Sequence, residues 1–419
     1  MLLAFRVANY RSIRDMQELS FVATSFNERS AVAVPAAPRG PISVLPVIGV
    51  YGPNASGKTN VLRALGDMRA LLSGDTYMDA SPWHRGGWFA KPFLLDQQAR
   101  QEVSLLEADL LISEVRHTYG LEFDKDGFAR EWLHAYPHGK RQVWFTRSRE
   151  EGLSFPGDHV KGSKSALRKI LRPDQLMLSL ASTPLLTQMA PVASWFADNL
   201  ISTLDPVEAR RQRSPRGERL LAAFFQGNTQ AQALVRRADI GIDSVRTRKY
   251  EAPTGDDLGI ELHHLSSDGF TAALPFSEES AGTVSWIWLL PKLLRALDRG
   301  GTLIVDELDS SLHPHLAAEV IRMFQDPAVN PQHAQLLFTS HDVAMLGTQF
   351  GAPLLDRDQV WFTEKRGDGA TELYPLVDFK PRKSENLERG YLSGRYGAVP
   401  DLSPGEIGRS LRVLREDSA

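Results

Sequence analysis

The chain of 419 residues has no cysteine at all, which removes disulfides, thiolate zinc sites and cysteine nucleophiles together. It also lacks any apolar stretch approaching the roughly 18 residues that a membrane-crossing helix needs. Its N-terminus, Met1-Leu2-Leu3-Ala4-Phe5-Arg6, breaks its apolar run too early for a secretory signal, so a cytoplasmic protein with no membrane partner is expected. Charge of one sign is missing too: 48 Lys and Arg balance 51 Asp and Glu, a net charge of −3. Any surface for nucleic acid must then be local. Repeats and low-complexity tracts are absent. What remains is an ordinary globular composition, 42% hydrophobic and 24% charged, long enough for about two structural units.

Against this plain background one stretch stands out. Gly52-Pro53-Asn54-Ala55-Ser56-Gly57-Lys58-Thr59 matches GxxxxGK[ST] directly after an apolar run, Val44 to Val50, that reads as a buried strand. Gly52 and Gly57 admit backbone conformations and close approaches that a Cβ would block, so successive N–H groups can turn around a phosphate. The helix starting near Lys58 points its positive end at the same place. Lys58 brings an ammonium to the β and γ oxygens, and the Thr59 hydroxyl is the expected Mg²⁺ ligand. A nucleoside triphosphate with Mg²⁺ is therefore the expected cofactor.

Two later strands end in chemistry. Thr302-Leu303-Ile304-Val305 runs into Asp306-Glu307, where Asp306 would hold the Mg²⁺ shell and Glu307 would orient the attacking water. Gln335 to Phe338 runs into Thr339-Ser340-His341, which places an imidazole at the same edge as a γ-phosphate sensor. Glu279-Ser280-Ala281-Gly282-Thr283, just before a helix expected over Val284 to Leu297, is a second anion cradle. One nucleotide needs one cradle, so the second implies a partner subunit's nucleotide.

Other elements are expected as follows. A hairpin over Leu2–Val7 and Leu19–Val22 precedes the phosphate loop, and a helix over Asn60–Leu72 follows it. A Gly- and Trp-rich connector, Ser73 to Lys91, has no periodicity. Alternating patterns return through Val103–Phe123 and Glu131–Phe145, then Ile242–Lys249 and Gly259–Leu265. Between them, Lys164 to Val235 has helical spacing broken by Pro173, Pro184, Pro191, Pro206 and Pro215, too short and interrupted for a long coiled coil. The expected division is 1–150 and 241–419 as two parts of one nucleotide-binding head, with 151–240 as an inserted helical arm.

Phosphate loop, Glu-Ser-Ala-Gly-Thr, Asp306-Glu307 and His341, in this order, resemble the ABC-class ATPases of the SMC, RecF and OLD type. The resemblance implies an α/β fold, an ABC-type P-loop ATPase head with a mixed β-sheet core and helices, in which two heads sandwich two ATP molecules. It implies nucleotide contacts at Gly52, Asn54, Ala55, Ser56, Gly57, Lys58, Thr59 and Asn60, with Arg11 in the Asn9-Tyr10-Arg11-Ser12 turn beside them. It further implies that Ser280 and Gly282 reach the γ-phosphate in trans, that Asp309 and Ser310 communicate across the dimer, and that Lys58, Glu307 and His341 serve hydrolysis. The Arg11-Ser12-Ile13 opening, the Asp306-to-Pro314 run and Gly394-Arg395-Tyr396-Gly397-Ala398-Val399-Pro400 are similar to stand-alone ATPases of bacterial anti-phage and abortive-infection systems, such as the ATPase components of Septu and PARIS. Two departures stand: alanine replaces the first signature glycine, and the Q-loop glutamine has only Gln97 and Gln98 as candidates.

OLD relatives carry a C-terminal metal nuclease, for which the stretch after His341 is too short. Asp356-Arg357-Asp358 reads instead as a salt-bridged turn, which leaves effector chemistry to another chain. The leading expectation is a defence ATPase that dimerises, or assembles further, on ATP and governs a separate nuclease or toxin. The alternative is a RecF- or SMC-like DNA-binding ATPase, with nucleic acid as partner. Basic clusters at Arg210, Arg211, Arg213, Arg216 and Arg219, at Arg236 and Arg237, and at Arg246, Arg248 and Lys249 bear on that choice, although Glu208, Glu218 and Asp239 interleave.

Overall fold

The computed structural model describes residues 1–26, 29–38, 40–73, 91–182, 187–204, 215–238, 241–252, 255–310, 312–400 and 405–416. Most of the Ser73–Lys91 connector, together with Pro184, Pro206, Glu208, Arg210, Arg211, Arg213, Asp239 and Ser311, lies outside the described residues.

The chain opens with the hairpin β1 (Leu2–Ala8) and β2 (Gln17–Ser20), then a two-stranded ribbon of β3 (Val32–Val34) and β4 (Ile42–Val44). The expected strand Val44–Val50 is divided: β4 ends at Val44, and β5 (Val47–Tyr51) begins after Pro46. Proline has no N–H to donate to a ladder, although its carbonyl still accepts from Leu336 N at 2.8 Å. Next come α1 (Lys58–Ser73) and a meander of β6 (Ser104–Ile112), β7 (Val115–Asp124), β8 (Gly127–Ala135), β9 (Gln142–Ser148) and β10 (Gly152–Ser154). The alternating stretch Val103–Phe123 is thus a hairpin. Its two-residue turn, Ser113-Glu114, has φ of 49° and 65°, the left-handed pair that tight hairpins use. These strands join the first hairpin in a seven-stranded antiparallel sheet, ordered β10-β9-β8-β7-β6-β1-β2.

The stretch 151–240 contains α2 (Lys164–Ile170), α3 (Ala190–Ser194), β11 (Leu200–Ser202), α4 (Pro215–Phe225) and α5 (Thr229–Ala238). It is largely helical, but it differs from the helical reading at Leu200–Ser202, which pair in parallel with Thr302–Ile304. Helices this short are marginal alone in water, and these gain their stability by packing on the head. Trp195, Phe196 and Leu200 enter one core and Leu221, Ala222 and Phe225 the other.

The antiparallel strands β12 (Ile242–Ala252), β13 (Gly255–Leu265) and β14 (Thr271–Pro275) form a separate sheet that leads into α6 (Ala281–Arg299). Then follow β15 (Thr302–Val305), α7 (Pro314–Gln325), β16 (Gln335–Thr339), β17 (Val360–Lys365), β18 (Thr371–Pro375), α8 (Leu387–Leu392) and α9 (Glu406–Glu416). The central sheet has the order β11-β15-β16-β5-β17-β18, with only β18 antiparallel to its neighbour. Strands β11, β15, β16 and β5 are buried on both faces, as parallel sheets require. Alternate residues serve different cores: Ile48, Val50, Ile304 and Leu337 on one side, Val47, Leu303, Val305, Leu336 and Phe338 on the other. Among the described residues, no helix is long and apolar enough to cross a membrane.

The late Gly394–Pro400 stretch is a plug on β17. Tyr396 and Tyr391 stack on Phe362 with ring centroids 5.9 and 5.4 Å away, and the Tyr396 hydroxyl donates to Glu385. Asp356 is buried, ion-paired to Arg29 at 3.1 Å and bonded by Ser30, while Asp358 accepts from Thr24 N at 3.0 Å. The acids of the Asp-Arg-Asp turn are fastened into the fold.

Candidate functional site: a phosphate loop at the carboxyl edge

Because β5, β15 and β16 are parallel neighbours, everything that follows them in the chain emerges at one edge of the sheet. The loop 52–59 leaves β5, Asp306-Glu307 leaves β15, and Ser340-His341 leaves β16. The spacing that separates them in sequence is erased by strand order.

The loop is held from below by hydroxyls on β17 and β18. Thr371 Oγ1 donates to Ser56 O at 2.7 Å, Thr363 Oγ1 lies 2.6 Å from Ser56 Oγ, and Asn60 Nδ2 donates to Ser12 Oγ at 2.7 Å. Gly57 has φ +109°, and a Cβ there would stand 2.1 Å from Thr371 Oγ1, so no other residue fits without moving the support. Asn54 and Ala55 are exposed at the tip, with Ala55 in the left-handed region at φ 62°. Lys58 is buried, and Nζ donates to Gly52 O at 2.7 Å and Pro53 O at 3.1 Å. Burial holds its pKa down to about 8, against the pull of Asp306, Glu307 and Asp309.

Asp306 Oδ1 accepts from Thr339 Oγ1 at 2.7 Å and from Thr59 Oγ1 at 3.2 Å. Cis oxygens on a Mg²⁺ ion stand about 3.0 Å apart, since each lies about 2.1 Å from the metal at right angles. The Thr59 and Asp306 oxygens are therefore spaced as two ligands of such an ion. Among the described residues no group of three or more His, Cys, Asp and Glu could hold a metal. Two protein oxygens completed by phosphate and water are the usual Mg²⁺ arrangement at triphosphates.

Glu307 is exposed and sits at φ 49°, a conformation that costs a side-chain-bearing residue roughly 1–2 kcal/mol. Two groups hold it there: Thr339 Oγ1 takes its N–H at 2.7 Å, and its carbonyl accepts from Ser310 N at 3.0 Å. Its carboxylate is 3.9 Å from His341 Nε2. His341 Nδ1 lies 3.4 Å from the Lys58 ammonium, and its backbone N–H donates to the Asp309 carboxylate at 3.1 Å. Since the ammonium can only donate, Nδ1 accepts and Nε2 carries the proton toward Glu307. Lys58, Thr59, Asp306, Glu307, Asp309 and His341 form one constellation, in which Thr339 fastens both acids. Sequence reading passed over Thr339, although a hydroxyl one residue before Ser340-His341 at a buried strand end was the available signal. Thr363 and Thr371 had none.

Ser280 and Gly282 are not part of that constellation. Ser280 is exposed and caps α6: its Oγ accepts from Thr283 N at 3.1 Å and lies 2.9 Å from Thr283 Oγ1. α6 turns through Gly300-Gly301 directly into β15, so its N-terminus projects on the carboxyl-edge side. Its 19 residues, with Pro291 inside them, span about 28 Å, and Ser280 at its start is exposed.

Arg11 lies beside the loop through Ser12, and its Nε donates at 2.9 Å to Tyr10 OH, which donates to Asp67 on α1 at 2.5 Å. Gln97 and Gln98 are exposed, and Gln98 Nε2 donates to Glu102 at 2.7 Å. Of the basic residues, Arg246 and Arg248 lie on one face of β12. Arg246 and Arg248 alternate with buried Val245 on β12, Arg246 stands opposite Glu261, and Arg236 and Arg237 end α5, whose buried Val235 packs beneath that sheet.

The chain is similar to solved SMC head domains. One is bound to the C-winged helix domain of ScpA (13% identity, 89% of this chain and 96% of that one, TM-score 0.47). Another is from Thermotoga maritima (12% identity, 89% and 98% covered, TM-score 0.41). A third, from Pyrococcus furiosus, has an extended coiled coil and is bound to the C-terminal domain of ScpA (12% identity, 94% and 98% covered, TM-score 0.44). No curated protein matches it significantly. The sequence profile of the family described as "AAA domain, putative AbiEii toxin, Type IV TA system" matches residues 47–346, from the first residue of β5 to the short helix after His341. A match over so much of the chain settles its kinship: it belongs to this AAA-domain ATPase family.

Proposed function

We propose that this chain is a Mg²⁺-dependent ATPase whose two copies close on ATP, and that ATP state governs a separate effector chain in bacterial anti-phage defence. The observation that carries the dimer is the split between its two anion cradles. The phosphate loop is finished within the chain, whereas Ser280 is exposed at the start of α6 and stands outside the constellation around Lys58. On this reading Lys58 and the loop amides bind the β- and γ-phosphates, and Thr59 and Asp306 would hold a Mg²⁺ ion that would supply neutralising charge there. Glu307 orients the attacking water, His341 contacts the γ-phosphate, and Ser280 and Gly282 of a second copy close the site. Asp309, bonded to the His341 amide, ties the sensor to the loop between β15 and α7.

The defence reading is supported by the family's description, which names a toxin and a type IV TA system. The alternative is a RecF- or SMC-like DNA-binding ATPase, which a steep fall of DNA affinity with rising salt would support. The dimer is tested by light scattering of Glu307→Gln protein with Mg-ATP. Doubling of mass that Ser280→Arg abolishes is expected; unchanged mass in a protein that starts as monomer would remove the sandwich. Co-purification with the product of the adjacent gene tests the effector, and a nuclease or toxin there is the expected outcome.

A further inference from the structure

We propose that His264 is a positioning residue for the Ser280 cradle, acting through the buried carboxylate of Glu279 and hence on the nucleotide held by a second copy. The proposal rests on the sandwich reading above.

Glu279 immediately precedes the cap residue, yet the two side chains face opposite ways. Ser280 is exposed, whereas the Glu279 side chain is 6% exposed. A carboxylate taken from water needs a partner. It has one: His264 Nε2 stands 2.7 Å from Glu279 Oε1, donating its proton. His264 belongs to β13, the middle strand of the β12–β14 sheet, opposite Ile242 on one side and Ala272 on the other. The chain from β14 to Ser280 is only the short turn Phe276–Glu278 and Glu279 itself. Its far end is thus pinned back onto the sheet that it has just left.

That sheet is in turn tied to the helices beneath it. Gln232 on α5 clamps the Val245 backbone through both amide atoms, at 2.6 and 2.8 Å, and Trp286 on α6 donates to Leu234 O at 3.4 Å. α4, α5, β12–β14 and the start of α6 are one connected body, and the His264–Glu279 bond is where it grips the cradle. Without the imidazole, the carboxylate must swing to water and rotate the backbone at 279–280, re-aiming the Ser280 hydroxyl and the first α6 amides. Displacements near 1 Å at a site of this kind cost about 10²-fold in rate.

The test is complementation between subunits. His264→Ala should lower ATP turnover at least tenfold while ATP affinity, set by the subunit's own loop, stays within about twofold; His264→Gln, whose Nε2 falls near the imidazole Nε2, should keep most turnover. In a 1:1 mixture with the inactive Lys58→Ala protein, half the dimers hold one site built from an intact loop and an intact cradle, so turnover should recover to about a quarter of wild type. Ser280→Arg mixed with Lys58→Ala is the control. If the control recovers and His264→Ala does not, or if His264→Ala turns over normally alone, the proposal is overturned. If the control also fails to recover, the sandwich reading fails and the proposal falls with it.

Discussion

The two anion cradles of this chain are built to different degrees of completion. Around the phosphate loop, Ser12, Asn60, Thr339, Thr363 and Thr371 converge from five separate elements, so loop, metal ligands and acids are set before any ligand arrives. Around Ser280 there is one helix cap and a carboxylate fastened from behind. A cradle braced by hydroxyls from distant strands is ready to bind, whereas Ser280, exposed at the start of α6, faces whatever comes from outside. The difference separates binding a nucleotide from using it.

Four measurements would break or sharpen that contrast. The largest effect is expected at Glu307. Replacing it with Gln should cut turnover by about 10²-fold or more while ATP affinity holds, because the lost group acts on water and not on the nucleotide's ground state. Steady-state hydrolysis beside equilibrium binding checks this, and a parallel loss of both would place Glu307 in the binding half. Ser280→Arg should lower turnover by about 10²-fold with the affinity at Lys58 unchanged. A large loss of affinity in the isolated subunit would show that the Ser280 cradle serves its own loop.

The third effect is a pH dependence on the finished side. Lys58, lowered by burial to about 8, is charged at pH 7 and neutral at pH 9, whereas the bound triphosphate requires the ammonium. Affinity for ATP should therefore fall as pH rises through 8, about tenfold weaker at pH 9 than at pH 7. Lys58→Arg, whose guanidinium stays charged, should lose the dependence; a flat profile in the native protein would contradict the cost of burial. The smallest effect is expected at Thr371→Val. Losing the hydroxyl under Ser56 O should weaken ATP binding by about fivefold, near 1 kcal/mol, with hydrolysis of bound ATP unchanged, as single-turnover kinetics would show.

The finished side was also the legible one. Val47–Tyr51, Thr302–Val305 and Gln335–Thr339 are apolar runs of strand length, each ending in residues with little reason to follow a buried strand unless they act there. Their order in the sheet was not written anywhere in the sequence, but parallel strands leave little choice about which edge their ends share. What could not be read was support from a distance. Thr363 and Thr371 sit in a β hairpin with no local mark of the loop they hold. Leu200–Ser202 is too short for periodicity and becomes a strand only because β15 offers it an edge. His264 looked like one more residue of an alternating strand, since only the three-dimensional path through β14 brings it back to Glu279.

The hydrogen bond from Thr371 to Ser56 O joins residues 315 positions apart. At the usual pace of synthesis, roughly 5–20 residues per second, about 15 to 60 s separate the appearance of the loop from that of its support. β17, the strand beside β5, arrives in the same late interval. A growing chain holds the full GxxxxGKT sequence over those 315 residues without the scaffold that shapes it. Nucleotide binding thereby waits for β17 and β18, and a truncated product ending before β17 would carry the motif without the support that shapes it.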